Sequence, residues 1–200
     1  MVERILIATN NVAKFERYRR VLSYWRPVFE ISKPSELGIK IKVDEKGASA
    51  EEIAKNKALE YLRHSKFPTL TVDEECVVDG MPNEMQPGVF VRRVNRKVEA
   101  TDEELLNTYV EKYAGKWHTW RFAHCLALPG GRAFVDTALV RGWFHTVPAS
   151  GPIIRGYPLS SLLYDKGLGK YGKDFTIEEE RVVLRPIYLS IEKLLNQASL

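Results

Sequence analysis

Apolar residues along this 200-residue chain fall into short continuous runs, strict alternations and helically spaced stripes, and their order outlines an α/β protein. The opening run, Ile5-Leu6-Ile7-Ala8, reads as a buried strand that ends in Thr9-Asn10-Asn11, where two Asn suit a turn and a helix cap. A basic helical segment opens at Lys14 and covers Phe15 to Ser23. Pro27 breaks it, and Val28 to Ile31 is a short strand candidate. Ile39-Lys40-Ile41-Lys42-Val43 alternates apolar and basic residues, the pattern of a half-buried strand, and Asp44 to Ala48 reads as a turn. Ser49 then caps a helix running to about His64, with Ile53, Ala54, Ala58, Tyr61 and Leu62 on one face and Glu52 at the capping-box position.

After Pro68, Thr69 to Val72 is a compact strand that runs into Asp73-Glu74-Glu75-Cys76, read here as an acidic turn. A stretch rich in turn formers follows, from Gly80 to Gly88. Thr101-Asp102-Glu103-Glu104 opens another capped helix, ending near Gly115. Trp117 to Leu128 and Arg132 to Gly142 are β-prone runs around Pro129-Gly130-Gly131, a hairpin. Pro148 to Pro158 is a loop, Gly167 to Gly172 reads as a mobile stretch, and a helix from about Pro186 to Asn196 closes the chain. No repeat or linker divides residues 1–200, so a single domain is expected.

Composition narrows the class. A hydrophobic share of 44% and a charged share of 28% are ordinary for a soluble globular protein. No apolar run approaches the roughly 20 residues of a membrane span, and Glu3 and Arg4 precede a run too short for a secretory signal. Cys76 and Cys125 show no metal-ligand spacing, which points to a reduced, cytoplasmic setting. The four His, at 64, 118, 124 and 145, form no pair at helical zinc-ligand spacing. A net charge of +4 suits polyanionic partners such as nucleotides without requiring them.

Four features offer chemistry. The strand–turn–helix at Thr9 to Lys14 is an anion site in outline, where backbone N–H groups and the positive helix end meet the Lys14 charge. Asp73, Glu74 and Glu75 follow a buried strand, where α/β proteins place ligands; they read as a solvated turn or as donors to Mg²⁺. Glu52 reads as a capping residue or as a further metal ligand. Tyr113, Lys116, Trp117, His118, Trp120, Arg121 and Phe122 interleave aromatic and basic groups, as single-strand nucleic-acid binders do. Trp120, Phe122, Leu126 and Leu128 also share one strand face, which favours core packing. No Walker A loop or dinucleotide fingerprint is present.

Together these segments resemble the inosine triphosphate pyrophosphatase family, which hydrolyses non-canonical purine nucleoside triphosphates. Ile5 to Lys14 is similar to the family's strand and Thr-x-Asn-x-x-Lys opening. Gly47 to Ala58 carries its Glu, Ala and Lys-Ala on a helix. Val72-Asp73-Glu74-Glu75-Cys76 resembles its acidic pair, Pro87-Gly88-Val89-Phe90 its Pro-Gly-hydrophobic-aromatic segment, and Phe122 to Leu128 its hairpin strand. The order and spacing agree over about the first 145 residues.

The resemblance implies a long twisted mixed sheet flanked by helices, two lobes with a nucleotide cleft, and a homodimer. It implies metal-dependent hydrolysis of a nucleoside triphosphate to the monophosphate and pyrophosphate, with Mg²⁺, or Mn²⁺ in its place. Thr9, Asn10, Asn11 and Lys14 would hold the triphosphate, and Glu52 and Glu74 the metal. Asp73 or Glu74 would orient or deprotonate the attacking water, and Lys14 would stabilise the leaving pyrophosphate. Gly156, Tyr157 and Arg185 would meet the base. The chain departs from the family at four places. Glu74 stands where Asp is usual, and Glu75 where a hydroxyl is. Gly156-Tyr157-Pro158 lacks the Asp of Gly-Tyr-Asp-Pro, and Val183-Leu184-Arg185 keeps only the Arg of Ser-His-Arg. These departures motivate a second hypothesis, a nucleotide-binding protein without catalysis. The basic charge motivates a third, a nucleic-acid-binding module. No membrane partner is expected.

Overall fold

The computed structural model describes residues 3–43, 49–93 and 100–200. In chain order the elements are β1 (Arg4–Ile7), α1 (Val12–Trp25), β2 (Glu30–Ser32), α2 (Ala50–Ser65), β3 (Thr69–Val78) and α3 (Asp102–Tyr113). They continue with β4 (Trp117–Ala127), β5 (Ala133–Phe144), β6 (Leu163–Asp165), β7 (Lys170–Tyr171), α4 (Ile177–Val183) and α5 (Arg185–Ala198). The strands form one open mixed sheet in the order β2-β1-β3-β4-β5-β6-β7. β1 runs parallel to β2 and β3, while β6 is antiparallel to β5 and β7. The α/β mixed sheet with flanking helices is therefore the expected fold.

Contacts divide the chain into two compact units. One comprises Met1–Asp73, Phe122–Ala138 and Pro186–Leu200, the other Glu74–Arg121 and Leu139–Arg185.

In the first unit the apolar run of β1 is buried from Ile5 onward. α1 buries Phe15, Tyr18, Val21 and Leu22, and α5 buries Ile187, Tyr188, Ile191, Leu194 and Leu195, each a stripe at helical spacing. The Trp25 indole N–H donates to the Tyr188 carbonyl at 2.9 Å, tying the two helices together. Tyr18 Oη lies 2.8 Å from His124 Nε2, and His124 Nδ1 lies 2.8 Å from Ser190 Oγ, a buried polar chain that joins α1, β4 and α5. Burial pushes the His124 pKa down to about 3, so the ring is neutral and each nitrogen has a partner.

The alternation at Ile39 to Val43 correctly marks burial but not a strand. Ile39, Ile41 and Val43 pack, partly buried, on the cluster of Leu6, Ala8 and Tyr61, yet residues 39–43 form no strand ladder with any described residue. Both edges of β1 are already taken, by β2 and β3. The turn read at Asp44 to Ala48 lies outside the described residues.

In the second unit a complete capping box of Thr101 and Glu104 starts α3, which buries Leu105, Tyr109 and Tyr113. The Tyr109 ring sits edge-on to Phe144 and Tyr113, and the His118 ring stacks on Phe144 at 3.9 Å. Gly142 is required beside it, because a Cβ there would lie 2.6 Å from His118 Nε2. Gly167 to Gly172, read as mobile, includes the turn and second strand of a tight hairpin, with Tyr164 opposite Tyr171 and Asp165 opposite Lys170. The helix α4 was not expected from the sequence pattern. It is short, is capped by Thr176 with Glu179, and leaves Ile177 and Val182 exposed.

Candidate active site

The turn after β1 is built by its own side chains. Thr9 Oγ1 accepts the Asn11 N–H at 3.2 Å, and Asn11 Oδ1 accepts the Lys14 N–H at 3.0 Å, so Asn11 is the N-cap of α1. Asn10 between them is exposed, and Lys14 is half-buried one turn into the helix. The turn thus brings Thr9, Asn10, Asn11 and Lys14 together at the positive end of α1. Two of the backbone N–H groups that sequence reasoning offered to an anion are satisfied within the turn.

α2 begins at Ser49, whose Oγ accepts the Glu52 N–H at 3.2 Å. Its sheet-facing side is held once per turn. Glu51 Oε1 accepts from Thr137 Oγ1 at 2.8 Å, the Ala54 carbonyl accepts from Thr71 Oγ1 at 2.7 Å, and Lys57 Nζ lies 3.8 Å from Asp73 Oδ1. Residues 51, 54 and 57 recur every three positions and so share one face, which leaves Glu52 exposed beside it.

The acidic triplet is not a turn. β3 continues through it to Val78, so Asp73 and Glu75 project to the face of Thr71, and Glu74 to the opposite face with Val72 and Cys76. Asp73 meets Lys57, and Glu75 meets Arg121 at 3.1 Å, so neighbouring carboxylates carry their own cations. On the other face, burial above all, with the nearby titratable groups Cys76, Tyr113 and Glu74 adding to it, pushes the Tyr109 phenol well above its ordinary pKa. Burial chiefly, with Glu75 adding to it, raises the Cys76 thiol far above its usual range, so it is no nucleophile.

In the second unit, Gly156 and Tyr157 form a turn in which the Tyr157 N–H donates to the Ile154 carbonyl at 2.9 Å. Gly156 holds φ at +86°, a conformation that favours glycine, and its N–H donates to Asp102 Oδ2 at 2.8 Å. Arg185 is exposed at the first position of α5, directly after Val183 and Leu184. Glu52 belongs to the first unit and Glu74 to the second.

Among the described residues, no group of three or more His, Cys, Asp and Glu side chains forms a metal cage. The implied metal nevertheless suits the donors present. Mg²⁺ is ordinarily held by one or two carboxylates with phosphate oxygens and waters, so an ion arriving with a triphosphate needs no protein cage. The aromatic and basic residues from Tyr113 to Phe122 are mostly core: Tyr113, His118, Trp120 and Phe122 are buried, and Trp117 is the exposed aromatic.

A model of the Ham1 family matches residues 5–154, three-quarters of the chain. The chain belongs to the Ham1 family. A curated Brucella melitensis protein, dITP/XTP pyrophosphatase, is 27% identical over 190 residues, covering 88% of this chain and 81% of that protein. The Ham1 protein of Staphylococcus aureus superposes with a TM-score of 0.70 at 20% identity, covering 99% of this chain and all of that one. A HAM1 protein from Coxiella burnetii gives 0.73 at 16% identity, with coverage of 99% and 100%. A Mycobacterium abscessus nucleoside-triphosphatase, also titled dITP/XTP pyrophosphatase, gives 0.64 at 23%, covering 94% and 97%. The inosine triphosphate pyrophosphatase resemblance read from the motifs is thereby upheld, and these structures share the fold. Among the described residues, no helix of this Ham1 chain is long and apolar enough to cross a membrane.

Sequence reasoning gave no role to Lys57 or Asp102. Lys57 was visible as part of the Lys-Ala pattern on α2, but its carboxylate partner lies 16 residues on and shows only in space. Asp102 was read only as part of a helix start.

Proposed function

We propose that this Ham1-family protein hydrolyses nucleoside triphosphates at the α-phosphorus, releasing a monophosphate and pyrophosphate. The observation that carries the reading is the Thr9–Asn11–Lys14 turn at the head of α1, in a chain whose family and curated relative point to triphosphate substrates. The turn offers a helix N-terminus and an ammonium group to a polyphosphate. As the bond from the α-phosphorus to the bridging oxygen breaks, its electron pair goes to the leaving pyrophosphate, and the Lys14 ammonium stabilises that negative charge.

Asp73 orients the attacking water and accepts its proton, with the Lys57 ammonium 3.8 Å from its Oδ1 fixing the carboxylate's place. Glu52 and Glu74 would each offer a carboxylate to Mg²⁺, or to Mn²⁺ in its place, and the chemistry supplied when such an ion is bound would be neutralisation of phosphate charge. Gly156, Tyr157 and Arg185 contact the base. The active form is a homodimer in the cytoplasm.

Pyrophosphate release, measured against inosine, xanthosine, guanosine and adenosine triphosphates with Mg²⁺ and with chelator, tests the reading. Metal-dependent release supports it. Nucleotide binding without release in any condition replaces it with a binding protein that has lost catalysis, the reading that Glu75 and the missing Ser-His pair would then explain.

A further inference from the structure

Asp102 occupies the first position of α3, where a carboxylate ordinarily serves the helix end. That service is already provided: Thr101 Oγ1 accepts the Glu104 N–H at 3.2 Å, and Glu104 returns to the Thr101 N–H at 2.8 Å. The Asp102 carboxylate instead leaves the helix. Oδ2 accepts the Gly156 N–H at 2.8 Å, and Oδ1 accepts from Arg92 Nη2 at 2.7 Å. Arg92 is itself fixed, because its carbonyl accepts the Ala100 N–H at 2.8 Å. Burial works against the ionised carboxylate, yet the Gly156 N–H and the Arg92 guanidinium hold its pKa below the ordinary range. The side chain is only 16% exposed.

We propose that Asp102 is a positioning residue for base recognition, acting through the backbone of the Gly156-Tyr157 turn. Gly156 is clamped at its N–H by Asp102, and the Tyr157 carbonyl accepts both the N–H and the hydroxyl of Ser160, at 3.1 and 2.6 Å. The peptide that presents the Tyr157 side chain is therefore held on both sides. The turn has no acidic residue of its own from Ile153 to Pro158. Here a carboxylate from α3 serves the turn's backbone. The inference rests on the proposed function, since it takes Gly156 and Tyr157 as the base-contacting pair.

The test compares the wild type with Asp102→Ala and Asp102→Asn. It measures kcat and KM for purine nucleoside triphosphates, the inhibition constant of inorganic tripolyphosphate, and the rate of tryptic cleavage at Arg155. Asp102→Ala should raise KM about tenfold, the scale of one charge-assisted hydrogen bond, while kcat and the tripolyphosphate constant stay within about twofold. Asp102→Asn keeps an acceptor for Gly156 and should fall between. Cleavage after Arg155 should be faster in Asp102→Ala. An unchanged KM overturns the inference, as does a parallel rise in KM and the tripolyphosphate constant, which marks general loosening. If Asp102→Ala does not fold, the Asn variant is judged by the same split. If the wild type hydrolyses no triphosphate, the proposed function fails. The clamp is then judged by the cleavage rate alone, and an unchanged rate overturns it.

Discussion

The Lys57 ammonium lies 3.8 Å from an Asp73 carboxylate oxygen, with 17% and 15% of the two side chains exposed. That separation exceeds hydrogen-bond length, so the attraction is Coulombic. At an effective dielectric constant of about 20 it amounts to about 4 kcal/mol before desolvation is subtracted. The net coupling should fall between a surface pair and a fully buried one, about 1–2 kcal/mol. A double-mutant cycle with Lys57→Met and Asp73→Asn, read by urea unfolding, measures it. A coupling near zero would make the pair incidental to the fold. Turnover of Lys57→Met should also fall, because Asp73 loses the neighbouring cation that holds its carboxylate in place.

Replacing Lys14 with Ala should leave the fold intact, since Asn11 caps the backbone N–H of residue 14 and not its side chain. Triphosphate affinity should weaken by about 1.5–3 kcal/mol, the loss of a charge-assisted contact. Calorimetric titration with a non-hydrolysable triphosphate checks it; equal affinities would remove Lys14 from the phosphate site.

Glu52→Gln separates a capping role from a metal role. Ser49 Oγ caps the backbone N–H of residue 52, which the substitution keeps, and the side chain is exposed. Melting should be near normal while Mg²⁺-supported turnover drops by at least about a hundredfold. Wild-type turnover would return Glu52 to a surface role.

Acid sensitivity should set in before the carboxylates titrate. Burial lowers His118 and His124 from 6.5 to about 3, so between those values the unfolded chain binds more protons than the folded one. Stability from these two neutral rings is complete above pH 6.5 and is lost as pH falls towards 3. Unfolding free energy should therefore decline between pH 6.5 and 5, and decline less in His124→Asn. A flat profile over that window would contradict neutral burial.

Base selectivity should be weak. On the proposed reading of the base contacts, Val183 and Leu184 bring no polar side chain to that segment, leaving Arg185 as the donor among those three. Discrimination by unsatisfied polar groups needs such groups in the pocket. Ratios of kcat/KM for inosine, xanthosine, guanosine and adenosine triphosphates decide this. A preference of about a hundredfold for the first two, some 2.7 kcal/mol, would mean that other residues read the base.

The sequence was most legible where local chemistry fixes structure. Asn11, Ser49 and Thr101 announced three helix starts, and Pro129-Gly130-Gly131 announced the hairpin between β4 and β5. It was least legible where partners are distant. The acidic triplet looked like a turn because three adjacent carboxylates repel; Lys57 and Arg121, which relieve that repulsion, come from other elements. Val72, Cys76 and Val78, all buried on one side, were the available sign that the strand continued. α4 carried the same Thr-x-x-Glu signature as α3, but without an apolar stripe to mark its body. The link between Asp102 and Gly156 spans 54 residues, and no local pattern signals it.

Because the acidic residues sit on a pleated strand, their chemistry depends on parity as much as on identity. Deleting one residue between Thr69 and Val72 would turn Asp73 away from Lys57 and bring Glu74 round in its place, exchanging their environments without altering either side chain. Substitutions along β3 should thus be graded in effect, whereas an odd insertion or deletion should abolish function outright, and a compensating second one downstream of Glu75 should not restore it.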